Sequence, residues 1–143
     1  MSLEDLYREV ILDHYRSPRN RGTLPDPTVV VELSNPLCGD EITLALKVED
    51  GVVQAVRFTG RGCSISQSSA SMMTEAAQGK PIGEVLDLIG RFQGMMRGEI
   101  RPDEADLGDL EALQGVAKFP VRIKCALLPW EALWQAVEGR NEA

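Results

Sequence analysis

The chain has 143 residues, enough for one domain with a real core and short for two. Its 15 Lys and Arg against 22 Asp and Glu give a net charge of −7, the wrong sign for a protein that neutralises phosphates, so nucleic acid is not an expected partner. No apolar run approaches the ~18 residues that span a bilayer. The start, Met1-Ser-Leu-Glu-Asp5, is acidic where a secretory signal is basic, so the expected setting is cytoplasmic, away from membranes.

Leu3, Leu6, Tyr7, Val10, Ile11, His14 and Tyr15 fall on one helical face, which predicts an amphipathic first helix. Ser2 is its expected N-cap and Asp5 places negative charge in its first turn. Pro18 ends it by Ser17. Four arginines, Arg8, Arg16, Arg19 and Arg21, lie in and after this helix. The loop that follows reads either as a solvated turn or as a docking patch for an acidic partner.

Strands come next. The β-branched run Thr28 to Leu33 sits between Pro27 and Pro36. Ile42, Leu44, Leu46 and Val48 alternate with polar or small residues, the pattern of a half-buried strand. Asp50-Gly51 signals a type I′ hairpin into a third strand, Val52 to Gly60, with Val52, Val56 and Phe58 on one face. The expectation is an antiparallel three-stranded meander with the 42–48 strand central.

The second half reads as helical. Cys63 to Gln78 ends at Gly79, and Pro81 to Ile89 carries a second apolar stripe. Gly90, Gly94 and Gly98 weaken any helix over 90–101. A short acidic helix is expected over Asp103 to Leu113. In the last segment Pro129 either opens a helix or kinks a longer one starting near Val121. The fold class is therefore α+β, a three-stranded antiparallel β-meander covered by helices, in a single domain over 1–143.

Three cysteines, Cys38, Cys63 and Cys125, are too few and too odd in number for a disulfide framework. Each sits at an element end, flanked by Gly, Pro or charged residues, rather than inside an apolar pattern. In an antiparallel meander the third strand ends near the beginning of the second, so Cys63 returns to the edge that holds Cys38 and Asp40. Thiolates joined by one carboxylate suit zinc, or iron within a cluster. Spacing alone leaves buried, metal-independent thiols open as an alternative.

Four stretches in order decide the family. Leu12-Asp-His-Tyr-Arg-Ser-Pro-Arg-Asn-Arg-Gly22, Asn35-Pro-Leu-Cys-Gly-Asp40, Phe58-Thr-Gly-Arg-Gly-Cys-Ser-Ile-Ser66 and Val121-Arg-Ile-Lys-Cys125 resemble the signatures of the IscU/NifU-type iron–sulfur cluster assembly proteins. The chain is most similar to the SufU branch. Lys124 stands where the IscU branch has a histidine, and about 90–118 resembles the insertion that marks SufU-type proteins.

The resemblance implies a zinc-bound sulfur acceptor and carrier that takes persulfide sulfur from a PLP-dependent, SufS-type cysteine desulfurase and supplies downstream cluster-assembly machinery. It implies Cys38, Asp40, Cys63 and Cys125 as metal ligands. Cys38, on its Pro/Gly-flanked loop, is the expected sulfur acceptor, while Asp40 keeps the metal held. The alternative is a scaffold on which a [2Fe–2S] cluster is built on the same ligands, and a second is a structural zinc module for protein binding. His14 is expected to be a hydrogen-bonded helix histidine rather than a ligand, and Lys124 to be solvated. Arg122 is open between a partner of Asp40 or a thiolate and a surface residue. The Met72/Met73 and Met95/Met96 pairs are expected to fill core.

Overall fold

The computed structural model of the protein describes residues 2–36 and 39–138. Strands β1 (Val29–Asn35), β2 (Asp40–Glu49) and β3 (Val52–Arg61) form an antiparallel sheet in the order β1-β2-β3, so β2 is central as expected. The hairpin turn has Asp50 at φ 54° and Gly51 at φ 73°, the left-handed pair that a type I′ turn demands. Next to it the register shifts, with Val48 opposite Val53 but Lys47 opposite Ala55. The extra residue inverts the side-chain alternation across that point, so Val53 rather than Val52 joins Val56 and Phe58 in the core.

The helices are α1 (Leu3–Arg16), α2 (Ser64–Ala77), α3 (Ile82–Met96), a short α4 (Pro102–Ala105) and α5 (Pro120–Val137), with a run of 3-10 turns over Gly108–Lys118 before α5. None is long and apolar enough to cross a membrane among the described residues. Ser2 and Asp5 close a reciprocal capping box at the start of α1. The buried stripe of α1 is narrower than its periodicity suggests: Val10 and Ile11 pack on the core, but Leu6 and Tyr15 are exposed.

α2 is the central helix, packed against α1, α5 and β3. Its small residues let those neighbours approach closely, and Ser66 to Thr74 are all buried. The Ser69 hydroxyl donates to the Ala126 carbonyl of α5 at 2.6 Å and accepts the indole N–H of Trp130 at 3.1 Å. Trp130 in turn stacks on Phe92, with ring centroids 4.5 Å apart. Met72, Met73, Met95 and Met96 are buried in this core, as expected.

Two expectations give way to tertiary structure. α3 continues through Gly90 and Gly94 to Met96, because the chain turns back and seats Ile100 against Gly94. A Cβ there would lie 2.5 Å from the Ile100 Cδ1 atom, so the glycine that weakens the helix is what permits the contact. The acidic helix expected over 103–113 is instead split, since Asp106 (φ 53°) and Gly108 (φ 61°) are left-handed. Pro129 lies inside one continuous helix that starts at Pro120, the longer of the two alternatives open for it.

The basic loop is committed to the fold. It lies beside β3 as a short parallel bridge, with the Gly22 N–H on the Phe58 carbonyl at 2.8 Å and the Phe58 N–H on the Asn20 carbonyl at 3.1 Å. Arg21 donates to Gln67 Oε1 and to the Gly60 carbonyl and covers the Phe58 ring. Arg19 pairs with Asp13 at 2.5 Å. Two of the loop's arginines thus hold it in place, leaving Arg16 exposed.

Candidate metal centre

The strand register builds the site. Asn35 lies opposite Asp40, and Glu41 lies opposite Arg61, so the chain leaving β3 passes directly over the first residue of β2. Asp40 is completely buried there. Its Oδ1 accepts the backbone N–H of Cys63 at 2.9 Å and the hydroxyl of Ser66 at 3.1 Å. Gly62 makes this approach possible: a Cβ at that position would lie 2.4 Å from Asp40 Oδ1 and 2.5 Å from Ser66 Oγ.

The other carboxylate oxygen is different. Asp40 Oδ2 is buried and has no hydrogen-bond partner among the described residues. A buried acceptor left so costs roughly 1–3 kcal/mol, more when charged, and therefore calls for an explanation such as an ion. Two thiols supply one. The ligand atoms of Asp40, Cys63 and Cys125 all lie within 4.8 Å of one another. Tetrahedral zinc with Zn–S of ~2.3 Å and Zn–O of ~2.0 Å sets its ligand atoms about 3.3–3.8 Å apart. Small side-chain movements close that difference, so two sulfurs and a carboxylate oxygen of Asp40 fit zinc, or iron, at this point.

Each thiol is anchored by a helix. Cys63 is half-buried at the N-cap of α2. Cys125 is buried in the second turn of α5, its Sγ 3.6 Å from the Val121 carbonyl. Cys38, the remaining expected ligand, lies outside the described residues. The flanking backbone closes on itself, with the Gly39 N–H bonded to the Asn35 carbonyl at 2.9 Å.

The other singled-out residues lie apart from this cluster. His14 is buried on α1, with Nδ1 2.7 Å from Ser71 Oγ and Nε2 3.6 Å from Glu75 Oε1. Burial, followed by the nearby Arg19 charge, lowers its pKa below the usual 6.5. It is a hydrogen-bonded helix histidine, as the sequence suggests. Lys124 is exposed. Arg122 is also exposed, and it does not reach the unpartnered oxygen of Asp40. It lines an apolar groove of about 620 Å³ between the start of α2, the 3-10 turns and the start of α5, with Ile65, Val116, Phe119 and Val121.

Sequence reasoning missed Ser66 and Gly62. Ser66 carries no periodic signal, and a glycine before a cysteine reads as a turn residue; only the approach of Asp40 gives either one a task.

Comparison with known proteins agrees with this geometry. The family described as the NifU-like N-terminal domain matches residues 6–126. The chain is 52% identical to the zinc-dependent sulfurtransferase SufU of Bacillus subtilis, over 98% of this chain and 97% of that protein. It is 44% identical to the iron–sulfur cluster assembly scaffold protein IscU of Streptococcus pyogenes, over 99% of this chain and 88% of that protein. A crystal structure from Fervidobacterium islandicum, described as an iron–sulfur cluster assembly scaffold protein for the SUF system, superposes with a TM-score of 0.87 at 33% identity, covering 96% of this chain and all of that one. With sequence matched along nearly its whole length and the meander matched in space, the chain belongs to the family of NifU-like N-terminal domains.

Proposed function

We propose that this protein is a zinc-binding sulfur acceptor and carrier, taking persulfide sulfur from a SufS-type cysteine desulfurase for iron–sulfur cluster assembly. The observation that carries the reading is the approach of a carboxylate oxygen of the buried Asp40 to the Cys63 and Cys125 thiols, all within 4.8 Å of one another, in a carboxylate whose Oδ2 has no hydrogen-bond partner among the described residues. The likeness to the Bacillus subtilis sulfurtransferase supports it along the full chain.

Asp40, Cys63 and Cys125 would hold the metal, with Cys38 as the further ligand. Bound zinc would keep the coordinating thiols deprotonated at neutral pH. Cys63 and Cys125 are fixed by α2 and α5, whereas Cys38 stands between Pro36 and Gly39 on a strand connection, which makes it the proposed acceptor. In the transfer its thiolate attacks the outer sulfur of the donor persulfide. A new S–S bond forms on Cys38, the donor's S–S bond breaks, and the electron pair leaves on the desulfurase thiolate. The transferred sulfur keeps its proton or releases it to water, and no net oxidation occurs. The apolar groove with its exposed Phe119 and Val121 offers the desulfurase a contact surface beside these thiols.

Mass spectrometry after incubation with desulfurase and cysteine tests the assignment. Wild type should gain one or more sulfur atoms, and Cys38→Ala should gain none while keeping zinc on its remaining ligands. A persulfide on Cys38→Ala at the wild-type level removes Cys38 as acceptor.

The likeness to the Streptococcus pyogenes scaffold favours a second reading, assembly of a [2Fe–2S] cluster on the same residues. Protein purified without oxygen separates the two. Colourless protein with stoichiometric zinc supports the carrier, and a brown chromophore supports the scaffold.

A further inference from the structure

We propose that Ser66 is the positioning residue of the metal centre, holding Asp40 so that one oxygen, and only one, is presented to the ion. The inference rests on the metal-binding reading above and adds to it the group that sets the carboxylate's geometry.

Ser66 is buried in the first turn of α2 and reaches the site from three sides. Its Oγ lies 3.1 Å from Asp40 Oδ1, 3.2 Å from the Cys63 carbonyl and 3.9 Å from Cys63 Sγ. A hydroxyl has one hydrogen to give, and the two oxygens compete for it. The Cys63 carbonyl lies three residues back on the same helical turn, and it already accepts the Gln67 N–H at 3.1 Å. Asp40 Oδ1 is the charged acceptor, and a charge-assisted bond is about twice as strong as a neutral one. The Ser66 hydroxyl therefore donates its hydrogen to Oδ1.

Oδ1 is then held by two donors, the Ser66 hydroxyl and the Cys63 N–H, both from the start of α2. Gly62 leaves no Cβ to push them apart. With one oxygen so occupied, the carboxylate cannot rotate to offer both, and Oδ2 has no partner among the described residues. A one-oxygen carboxylate keeps the site four-coordinate, as zinc prefers, where a two-oxygen carboxylate would raise the coordination number. Partners that orient metal ligands in this way typically change metal affinity 10–100-fold when removed.

Zinc affinity, measured by competition with a chromophoric zinc chelator, tests the proposal in a double-mutant cycle of Ser66→Ala and Asp40→Asn. The amide side chain would keep an acceptor for the same donors but place an NH₂ where Oδ2 now lies. Ser66→Ala should weaken zinc binding about 10-fold or more in the wild-type background. In the Asp40→Asn background it should change affinity less than about 2-fold, because Ser66 would have no carboxylate left to orient. Equal losses in both backgrounds overturn the proposal, since Ser66 would then act through the fold or through Cys63. So does a Ser66→Ala protein that binds zinc like wild type. If Ser66→Ala fails to fold, the isosteric pair Ser66→Thr and Ser66→Val decides, with the hydroxyl-bearing variant expected to bind about 10-fold more tightly and equal binding overturning the proposal. Wild-type protein that takes no zinc from the chelator removes the metal reading itself, and this inference with it.

Discussion

Two buried polar clusters hang on the same helix, and they are finished differently. On one side of α2, the Ser71 hydroxyl meets His14 Nδ1 at 2.7 Å and the Arg19 N–H at 2.8 Å, while Thr74 bonds to the Arg19 carbonyl and to the side chain of Asn20. These bonds knit α1 and the basic loop to α2. At its N-terminus, the same helix gives Ser66 and the Cys63 N–H to one oxygen of Asp40, while the other has no hydrogen-bond partner among the described residues. Both clusters are desolvated, so the contrast cannot come from solvent. A network whose polar atoms find partners within the protein explains itself as structure. One that leaves an oxygen of a carboxylate unpartnered, with two thiols near that carboxylate, is a candidate for holding an ion.

The sharpest break in that contrast comes from the ligands. Cys63→Ala and Cys125→Ala should each reduce zinc from about one ion per chain to near none, and chelation should lower the Tm of wild type on the order of 10 °C. An unchanged Tm after verified zinc removal would contradict a site that joins β2, α2 and α5. Next in size, Gly62→Ala forces a Cβ to within 2.4 Å of Asp40 Oδ1. Differential scanning calorimetry should show a loss of about 1–3 kcal/mol, accompanied by most of the bound zinc. A Gly62→Ala protein with full zinc would mean that Asp40 has more room than its packing indicates.

The closed cluster should behave in the opposite way. His14→Gln should cost about 1–3 kcal/mol through its buried partners while zinc content stays at the wild-type level. It should also alter the pH dependence. Because the folded pKa of His14 lies below its ordinary 6.5, the unfolded chain takes up the proton first. Stability is therefore full above about 6.5, falls as the pH drops below that value, and levels off beneath the folded pKa. Thermal melts of zinc-free protein between pH 5 and pH 8 should show this slope in wild type and a shallower one in His14→Gln; parallel slopes would remove His14 as their source. The smallest effect is expected at the rim, where Arg61 pairs with Glu41 at 3.2 Å but is mostly exposed. Arg61→Ala should change stability by at most about 0.5 kcal/mol and leave zinc in place, and a larger loss would show that the rim supports the site.

The difference between the two clusters was only partly legible in the sequence. The meander was, because alternation from Ile42 to Val48 and the Asp50-Gly51 turn are local signals, and the meander alone brings Cys63 back to Asp40. The bulge between Lys47 and Val48 was not, since nothing in Val52-Val53 favours one face over the other until the register is set. Gly94 points away from helix when read by propensity alone, and it sits in one because Ile100 supplies what a local reading cannot see. At the metal centre, Asp40, Cys63 and Cys125 stood out by residue type. Ser66 did not, because a serine beginning a helix resembles any other until its acceptor is known.

X-ray absorption at the zinc edge of the zinc-loaded protein puts the central claim to its most direct test. Sulfur scatterers at ~2.3 Å together with one oxygen at ~2.0–2.2 Å are predicted, with the oxygen contribution lost in Asp40→Asn. An imidazole signature, which would place His14 at the metal, or a sulfur-only shell unchanged by Asp40→Asn, would contradict the account.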